Sequence, residues 1–368
     1  MDERAGFRLC EFCRERQGAG ASELALAEDP RGCFICEGLS GKVDKTAEKV
    51  VSRIRPYEFK TFAVGLSLPP GVQEREDTLR SELKIRGGET VKSELATRLA
   101  KATAERMGRQ RKKVDKLRPD LTILADLNEG SIGITSKPLY LMGRYTKPRG
   151  VAQRAYFCDR CNGRGCEACG GTGYSSSPSV EGLVSKRLGG ALGSKKFKFT
   201  WFGSEDTDSV VYAPGRPMLI ESKTPRKRRA PSTLRLRTGK GTLTVSGLKA
   251  VARKLDQPAF TFATRASIIA DHKVTEDDLK RLRKMRNATV QFRNNKGRLV
   301  DKVVYSVKAE SRGKKITAEI KLEGGLPVKR LVSGEDVSPS LSEAVGVPLR
   351  CDRFDIMGVW PKTAKRDR

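Results

Sequence analysis

Apolar and polar side chains alternate through much of the second half of the chain. Residues 197–201 and 218–220 predict two strands, and Gly215, Arg216 and Pro217 between them predict a turn. Similar alternation predicts further strands near residues 234–236, 243–245, 260–266 and 316–322. This half is therefore predicted to be rich in strands.

The first half of the chain mixes helical and strand periodicity. Residues 46–55 and 89–106 repeat apolar side chains every three or four positions, which predicts two helices. Residues 61–68, 121–127 and 131–136 predict strands, and the last two are joined by a predicted turn. This is the pattern of a mixed α/β domain.

Basic residues greatly outnumber acidic ones. The 368 residues include 73 lysines and arginines against 44 acids, a net charge of +29 with an isoelectric point near 10.0. This excess favours a nucleic-acid partner, and a ribosomal or purely electrostatic role is the simpler alternative. No apolar run is long enough for a transmembrane helix, and residues 1–30 lack the apolar core of a signal peptide. We therefore expect a cytoplasmic protein without a membrane partner.

Eight of the nine cysteines form four Cys-x-x-Cys pairs. In a cytoplasmic protein such pairs indicate metal binding, and four thiolates fit a structural zinc ion. The single histidine, His272, argues against Ser-His-Asp and Cys-His catalysis. We predict two structural zinc sites, formed by Cys10, Cys13, Cys33 and Cys36 and by Cys158, Cys161, Cys166 and Cys169.

A group of acids lies between the strands predicted at residues 197–201 and 218–220. Glu205, Asp206 and Asp208 stand in a predicted loop, where a rigid sheet can hold a reactive side chain. Residues 223–229 then contribute five basic side chains. Acids in a turn are usually only solvated, but an acidic loop beside such positive charge also suits chemistry on a polyanion.

From residue 158 to residue 228 the sequence resembles the archaeal and eukaryotic tRNA pseudouridine synthases of the Pus-ten family. Their catalytic loop reads Gly-Arg-Glu-Asp-x-Asp, followed by Gly-x-Gly-Arg-Pro-Phe and an acid. Ser204 replaces the arginine of this pattern, and Met218 replaces the phenylalanine. The resemblance implies that Asp206 is the nucleophile. The matching positions are Gly203, Glu205, Asp206, Asp208, Gly215, Arg216, Pro217 and Glu221.

The resemblance extends over nearly the whole chain and implies further site residues. Lys329 would form an ion pair with the nucleophile, and Val328 would contact the uracil base. Phe262 stands where the family has a stacking tyrosine, and Pro327 stands where it has a second pocket tyrosine. Without the resemblance, Phe262 would be interpreted as a core residue and Lys329 as a solvated lysine.

The resemblance also divides the chain into four parts. We expect a zinc-binding segment at residues 1–40, a THUMP-like α/β RNA-binding domain at 41–155 and a second zinc knuckle at 156–175. Residues 176–368 would form a catalytic domain with the α+β, antiparallel-sheet fold of pseudouridine synthases. The basic residues expected to contact RNA are Arg109, Arg111, Lys112, Lys113, Arg144, Lys223, Arg226, Lys227 and Arg228.

The implied activity is an archaeal-type isomerase that converts uridine to pseudouridine at position 54, position 55 or both in the TΨC arm of tRNA. Uridine and pseudouridine are isomers, so an aspartate-dependent mechanism requires no cofactor. We expect a monomer with tRNA as its partner. The alternative is a zinc-containing RNA-binding protein that has lost catalysis, and the presence of both Asp206 and Lys329 favours the enzyme.

Overall fold

The chain divides into two compact units. The computed structural model describes residues 6–108, 112–169, 173–175, 178–256, 258–294 and 296–362. The first unit contains Met1–Pro138 and Thr224–Arg228, and the second contains Leu139–Lys223 and Arg229–Arg368. In these described segments, no helix is both long and apolar enough to cross a membrane.

The first unit combines helices with a four-stranded sheet. The strand order is β2-β1-β3-β4, in which β1 is parallel to both neighbours and β3 is antiparallel to β4. The elements are α1 (Glu11–Gln17), α2 (Val43–Ile54), β1 (Thr61–Ser67), α3 (Val72–Glu82), α4 (Val91–Met107), β2 (Lys113–Val114), β3 (Leu121–Asp126) and β4 (Ile132–Ser136).

The predicted helices and strands of this half are confirmed. Helix α4 begins after Thr90, whose hydroxyl accepts a hydrogen bond of 3.2 Å from the Ser93 amide, and its apolar stripe is buried. Helix α3 is additional, and its sequence gives a weak signal because Val72 and Leu79 are its only buried apolar residues. Both helices contribute to one apolar cluster.

The second unit is built on one large sheet. Its strands are β5 (Leu139–Lys147), β6 (Phe197–Trp201), β7 (Val211–Ser222), β8 (Leu234–Thr238), β9 (Gly241–Val251), β10 (Phe260–Ala270), β11 (Ala288–Arg293), β12 (Leu299–Arg312), β13 (Lys315–Glu323), β14 (Val337–Ser338) and β15 (Leu349–Pro361). The order is β14-β11-β12-β13-β10-β15-β7-β5-β9-β8, and β6 also pairs with β7. All pairs are antiparallel except β15 with β7.

Four helices accompany this sheet in the described part of the second unit: α5 (Val180–Leu192), α6 (Glu276–Lys284), α7 (Val328–Ser333) and α8 (Leu341–Val345). Every second side chain of β10 and β13 is buried, as their alternating sequences predict. Helix α6 begins with a capping box between Thr275 and Asp278. The expectation of an α+β protein with a large antiparallel sheet is confirmed.

Two sequence-based expectations differ from the structure. The predicted turn is absent, because β7 continues through Gly215, Arg216 and Pro217. The neighbouring β6 ends opposite Met218, so Pro217 does not have to donate a hydrogen bond on that side. Leu139–Lys147, which the sequence predicts to belong to the RNA-binding domain, pairs with β7 and β9 in the large sheet. The compact units therefore separate between residues 138 and 139, whereas the sequence placed the domain boundary at 155.

Candidate active site

The loop between β6 and β7 borders a cavity of about 670 Å³ within the second unit. This volume lies in the range of small-ligand pockets. The cavity is lined by Ser204 and Asp206 of the loop, by Phe262 of β10, and by residues at the start of α7. Cationic side chains also reach it, namely those of Arg216, Lys296, Lys302, Lys329 and Arg330.

The structure brings Asp206 and Lys329 together at this cavity. Lys329 follows Val328, the first residue of α7, and its ammonium nitrogen lies 2.6 Å from Asp206 Oδ2. The hydrogen bond to Asp206 raises the pKa of Lys329, so the lysine stays charged. Both side chains are about half exposed, which leaves the carboxylate accessible from the cavity.

Phe262, Pro327 and Val328 also line the cavity. Phe262 is 5% exposed and its ring centroid lies 6.3 Å from that of Phe260. Pro327 caps the N-terminus of α7, and Val328 is buried at the first helical position. The apolar residues expected beside the base therefore surround the same space as the aspartate.

A buried ion pair joins the loop to β7. Glu205 and Arg216 form a salt bridge, and their side chains are 0% and 1% exposed. Tyr145 donates a hydrogen bond of 2.6 Å to Glu205, and Gln153 donates one of 2.9 Å to its other carboxylate oxygen. Burial raises the pKa of Tyr145 well above its usual value, so the phenol remains a donor. These contacts fix the residue that precedes Asp206.

Two glycines allow this close arrangement. Gly203 has a φ of 81°, and an added Cβ there would lie 3.2 Å from the Phe260 ring. Gly215 has a φ of 84°, and a Cβ would lie 2.8 Å from the carbonyl oxygen of Tyr145. The left-handed backbone and the short approach both favour glycine at these positions.

Both predicted groups of four cysteines converge in the structure. Within each group the sulfur atoms lie within 4.8 Å of one another, which suits four-thiolate coordination of a metal ion. Hydrogen bonds among the thiols lower the pKa of Cys33 to about 6 and raise that of Cys13. The backbone N–H of Cys166 similarly lowers the pKa of Cys169 to about 6. Each cluster could therefore hold a metal ion.

The residues predicted to bind RNA have varied surroundings. Lys112 lies over the Phe59 ring at 4.7 Å, whereas Lys113 is exposed on β2. Arg144 donates hydrogen bonds to the carbonyl oxygens of Gly215 and Val359, which gives it a structural role. Arg109 and Arg111 lie outside the described residues.

The basic segment after β7 is only partly free to contact a ligand. Arg228 donates to the carbonyl oxygens of Lys137 and Pro138, and Arg226 lies 5.9 Å from the Tyr57 ring. Lys223 and Lys227 are exposed. An RNA-binding role for each of these residues remains a prediction.

Sequence reasoning missed the side chains that support the acidic loop from β5 and the residues after it. Tyr145 and Lys147 both face the buried side of β5, and they are 0% and 2% exposed. The available signal was their two-residue spacing, which puts both side chains on one face of a strand. The site defines a class of α+β protein in which a carboxylate on a loop fixed by neighbouring side chains lies beside a lysine, at a cavity lined by apolar and cationic residues.

Comparison with known families matches residues 46–126 to the family described as "Pus10 THUMP domain, archaeal" and residues 140–359 to that described as "Pus10, C-terminal". The tRNA pseudouridine synthase Pus10 of Nitrosopumilus maritimus is 33% identical over 337 residues, which cover 90% of this chain and 86% of the relative. The protein of that name from Cenarchaeum symbiosum is 32% identical over 371 residues, covering 96% and 90%. A solved Cbf5–Nop10–Gar1 complex is similar with a TM-score of 0.30 and 14% identity, over 48% of this chain and 44% of that chain.

The C-terminal family match spans more than half of the chain, and both relatives align with most of it. This chain belongs to the Pus10 family of pseudouridine synthases.

Proposed function

We propose that this protein is a tRNA pseudouridine synthase that isomerises uridine at position 54, position 55 or both in the TΨC arm. Family membership supports the activity, and the 2.6 Å contact between Asp206 and Lys329 at the cavity is the observation that carries the assignment of the site. Both relatives are named as tRNA pseudouridine synthases, and this chain has a net charge of +29. These two observations support tRNA as the partner.

The reaction must break the bond between C1′ of the ribose and N1 of uracil and form a bond between C1′ and C5. The base loses the proton on C5 and gains one on N1, so atoms and electrons balance without an oxidant or reductant. Asp206 acts as the nucleophile in this exchange. Lys329 holds the carboxylate of Asp206 in place at the cavity through their 2.6 Å ion pair.

The uridine must leave its stack to reach Asp206, and apolar side chains receive the base. Phe262 offers an aromatic face, and Pro327 and Val328 complete the apolar wall. Phe262 retains stacking without a hydroxyl group, which distinguishes this pocket from one built with tyrosine. The two four-cysteine clusters hold structural zinc, since four thiolates leave no coordination position open for catalysis.

The direct test is incubation of purified full-length protein with unmodified tRNA transcripts, followed by mapping of pseudouridine at each uridine. We expect product at position 54, 55 or both, and none in transcripts that carry cytidine at both positions. Binding without product on any transcript would instead support the zinc-containing, non-catalytic RNA-binding protein. We also propose that the protein is cytoplasmic and monomeric. Sedimentation of the protein alone and with tRNA tests its oligomeric state.

A further inference from the structure

Lys147 is almost completely buried, yet it lies outside the pair that performs the proposed chemistry. Its side chain is 2% exposed, and its ammonium group donates to three backbone carbonyl oxygens of the catalytic loop. The acceptors are those of Asp206 and Thr207, each at 3.1 Å, and Ser209 at 2.5 Å. A protonated lysine has three N–H donors, so every donor has a loop carbonyl.

Residues that follow Lys147 also donate hydrogen bonds to the backbone of the loop. Gly150 donates its backbone N–H to the carbonyl oxygen of Thr207, at 3.0 Å. Arg149 donates to the carbonyl oxygen of Asp208 and is held by Asp355. Lys147, Arg149 and Gly150 therefore all bind the backbone of the loop.

Lys147 points inward because it lies on the buried face of β5, and the β5–β7 ladder brings it next to the loop. The register shifts between Tyr145 and Lys147, and Lys147 then pairs with Val211, just after the loop. Tyr145 and Lys147 are both on the buried face, where the first contacts Glu205 and the second contacts the loop backbone. The same strand thus fixes residues on both sides of the Asp206 carboxylate.

We propose that Lys147 is a positioning residue for the reaction: its three hydrogen bonds hold the backbone of Asp206 so that the carboxylate meets Lys329 and the substrate. The catalytic role of Lys147 in this inference rests on the proposed function. A displacement of about 1 Å in a catalytic group can lower a rate about 100-fold. A lysine that only stabilised the fold would change unfolding without changing the reaction of the folded enzyme.

The charge of Lys147 gives the proposal a pH signature. Burial is the main cause that lowers its pKa to about 8, with Glu205 and Asp208 raising it and Arg216 and Arg149 lowering it further. Below this pKa all three carbonyls have a donor, and above it one donor is lost. We therefore expect the single-turnover rate of the parent to fall as the pH rises through about 8.

The test compares parent, Lys147→Met and Lys249→Met, the last being an exposed lysine of β9 that serves as the control. Single-turnover rates at saturating enzyme should fall about 100-fold in Lys147→Met only, while tRNA affinity changes less than about twofold. The decline above pH 8 should be present in the parent and absent from Lys147→Met. A decline that originates in the RNA would persist in the variant.

Hydrogen–deuterium exchange provides a readout that does not need turnover. Amides of residues 203–209 should exchange faster in Lys147→Met than in the parent. They should also exchange faster in the parent above pH 8 than below it, once the rates are corrected for the pH dependence of intrinsic amide exchange. Equal exchange and equal rates in parent and Lys147→Met would overturn the proposal. If the parent forms no pseudouridine, the proposed function fails, and exchange still decides whether Lys147 holds the loop. If Lys147→Met does not fold, the pH dependence of rate and exchange in the parent decides.

Discussion

The ammonium nitrogen of Lys329 lies 2.6 Å from the carboxylate of Asp206, although the two residues belong to separate elements. Asp206 stands in the loop between β6 and β7, and Lys329 stands in the first turn of α7. Both flank a cavity with apolar walls. The distance shows that the aspartate has a cationic partner where it lines the cavity.

Removing this cation should impair chemistry more than folding. We expect Lys329→Met to lower the single-turnover rate about 100-fold, because the carboxylate loses its orienting partner. The free energy of unfolding should change by less than about 1 kcal/mol, since both side chains are about half exposed. Exposed Lys273 provides the control variant Lys273→Met. Equal rates in the two variants would show that the ion pair is dispensable.

Disrupting the buried Glu205–Arg216 pair should instead impair folding more than chemistry. Glu205→Gln leaves Arg216 charged in a buried site, so the free energy of unfolding should fall by about 3–5 kcal/mol. Glu319→Gln is the matched control, because its pair with Arg265 is exposed and should contribute less than about 1 kcal/mol. Urea denaturation measures both changes. Similar losses in the two variants would contradict a structural role specific to Glu205.

Metal analysis tests the two cysteine clusters. Protein purified without chelator should contain two zinc ions per chain, whereas Cys13→Ser and Cys169→Ser should each retain one. Cys351→Ser is the control and should retain both, because Cys351 belongs to neither cluster. Structural zinc can contribute about 10 kcal/mol to the folding of a small module, so chelation should also lower the unfolding temperature. Less than one zinc per parent chain would contradict both sites.

Salt dependence tests the predicted RNA surface of the first unit. Affinity for tRNA should fall steeply with salt, because lysine and arginine contacts to phosphate release counterions. Replacing Arg109, Arg111, Lys112 and Lys113 by alanine should weaken binding and reduce the slope of log affinity against log salt. The comparison variant neutralises Lys223 and Lys227, which are exposed. An unchanged slope in the first variant and a reduced slope in the second would place the surface at residues 223–229.

The sequence was informative where spacing or a motif reflects chemistry directly. The cysteine pairs predicted both clusters, and alternation predicted strands such as β10 and β13. The family pattern also predicted the contact between Asp206 and Lys329, which no local property of either residue indicates.

The remaining features depend on strand pairing. Lys147 would ordinarily be assigned to solvent, but it lies on the buried face of β5, and the pairing of β5 with β7 brings it to the loop. Gly215, Arg216 and Pro217 have turn-forming composition, yet they continue β7 because the glycine approaches Tyr145 and the arginine is neutralised by Glu205. Such contacts join residues distant in sequence, so local composition does not determine them.

Substitution of Asp206 tests the central claim most directly. Asp206→Asn preserves size and removes the nucleophilic charge, while Asp208→Asn changes an exposed neighbour in the same loop and serves as the control. Pseudouridine formation in unmodified tRNA should disappear in Asp206→Asn and remain measurable in Asp208→Asn, with tRNA binding and folding retained in both. Product formation by Asp206→Asn at a rate near that of the parent would contradict the proposed mechanism.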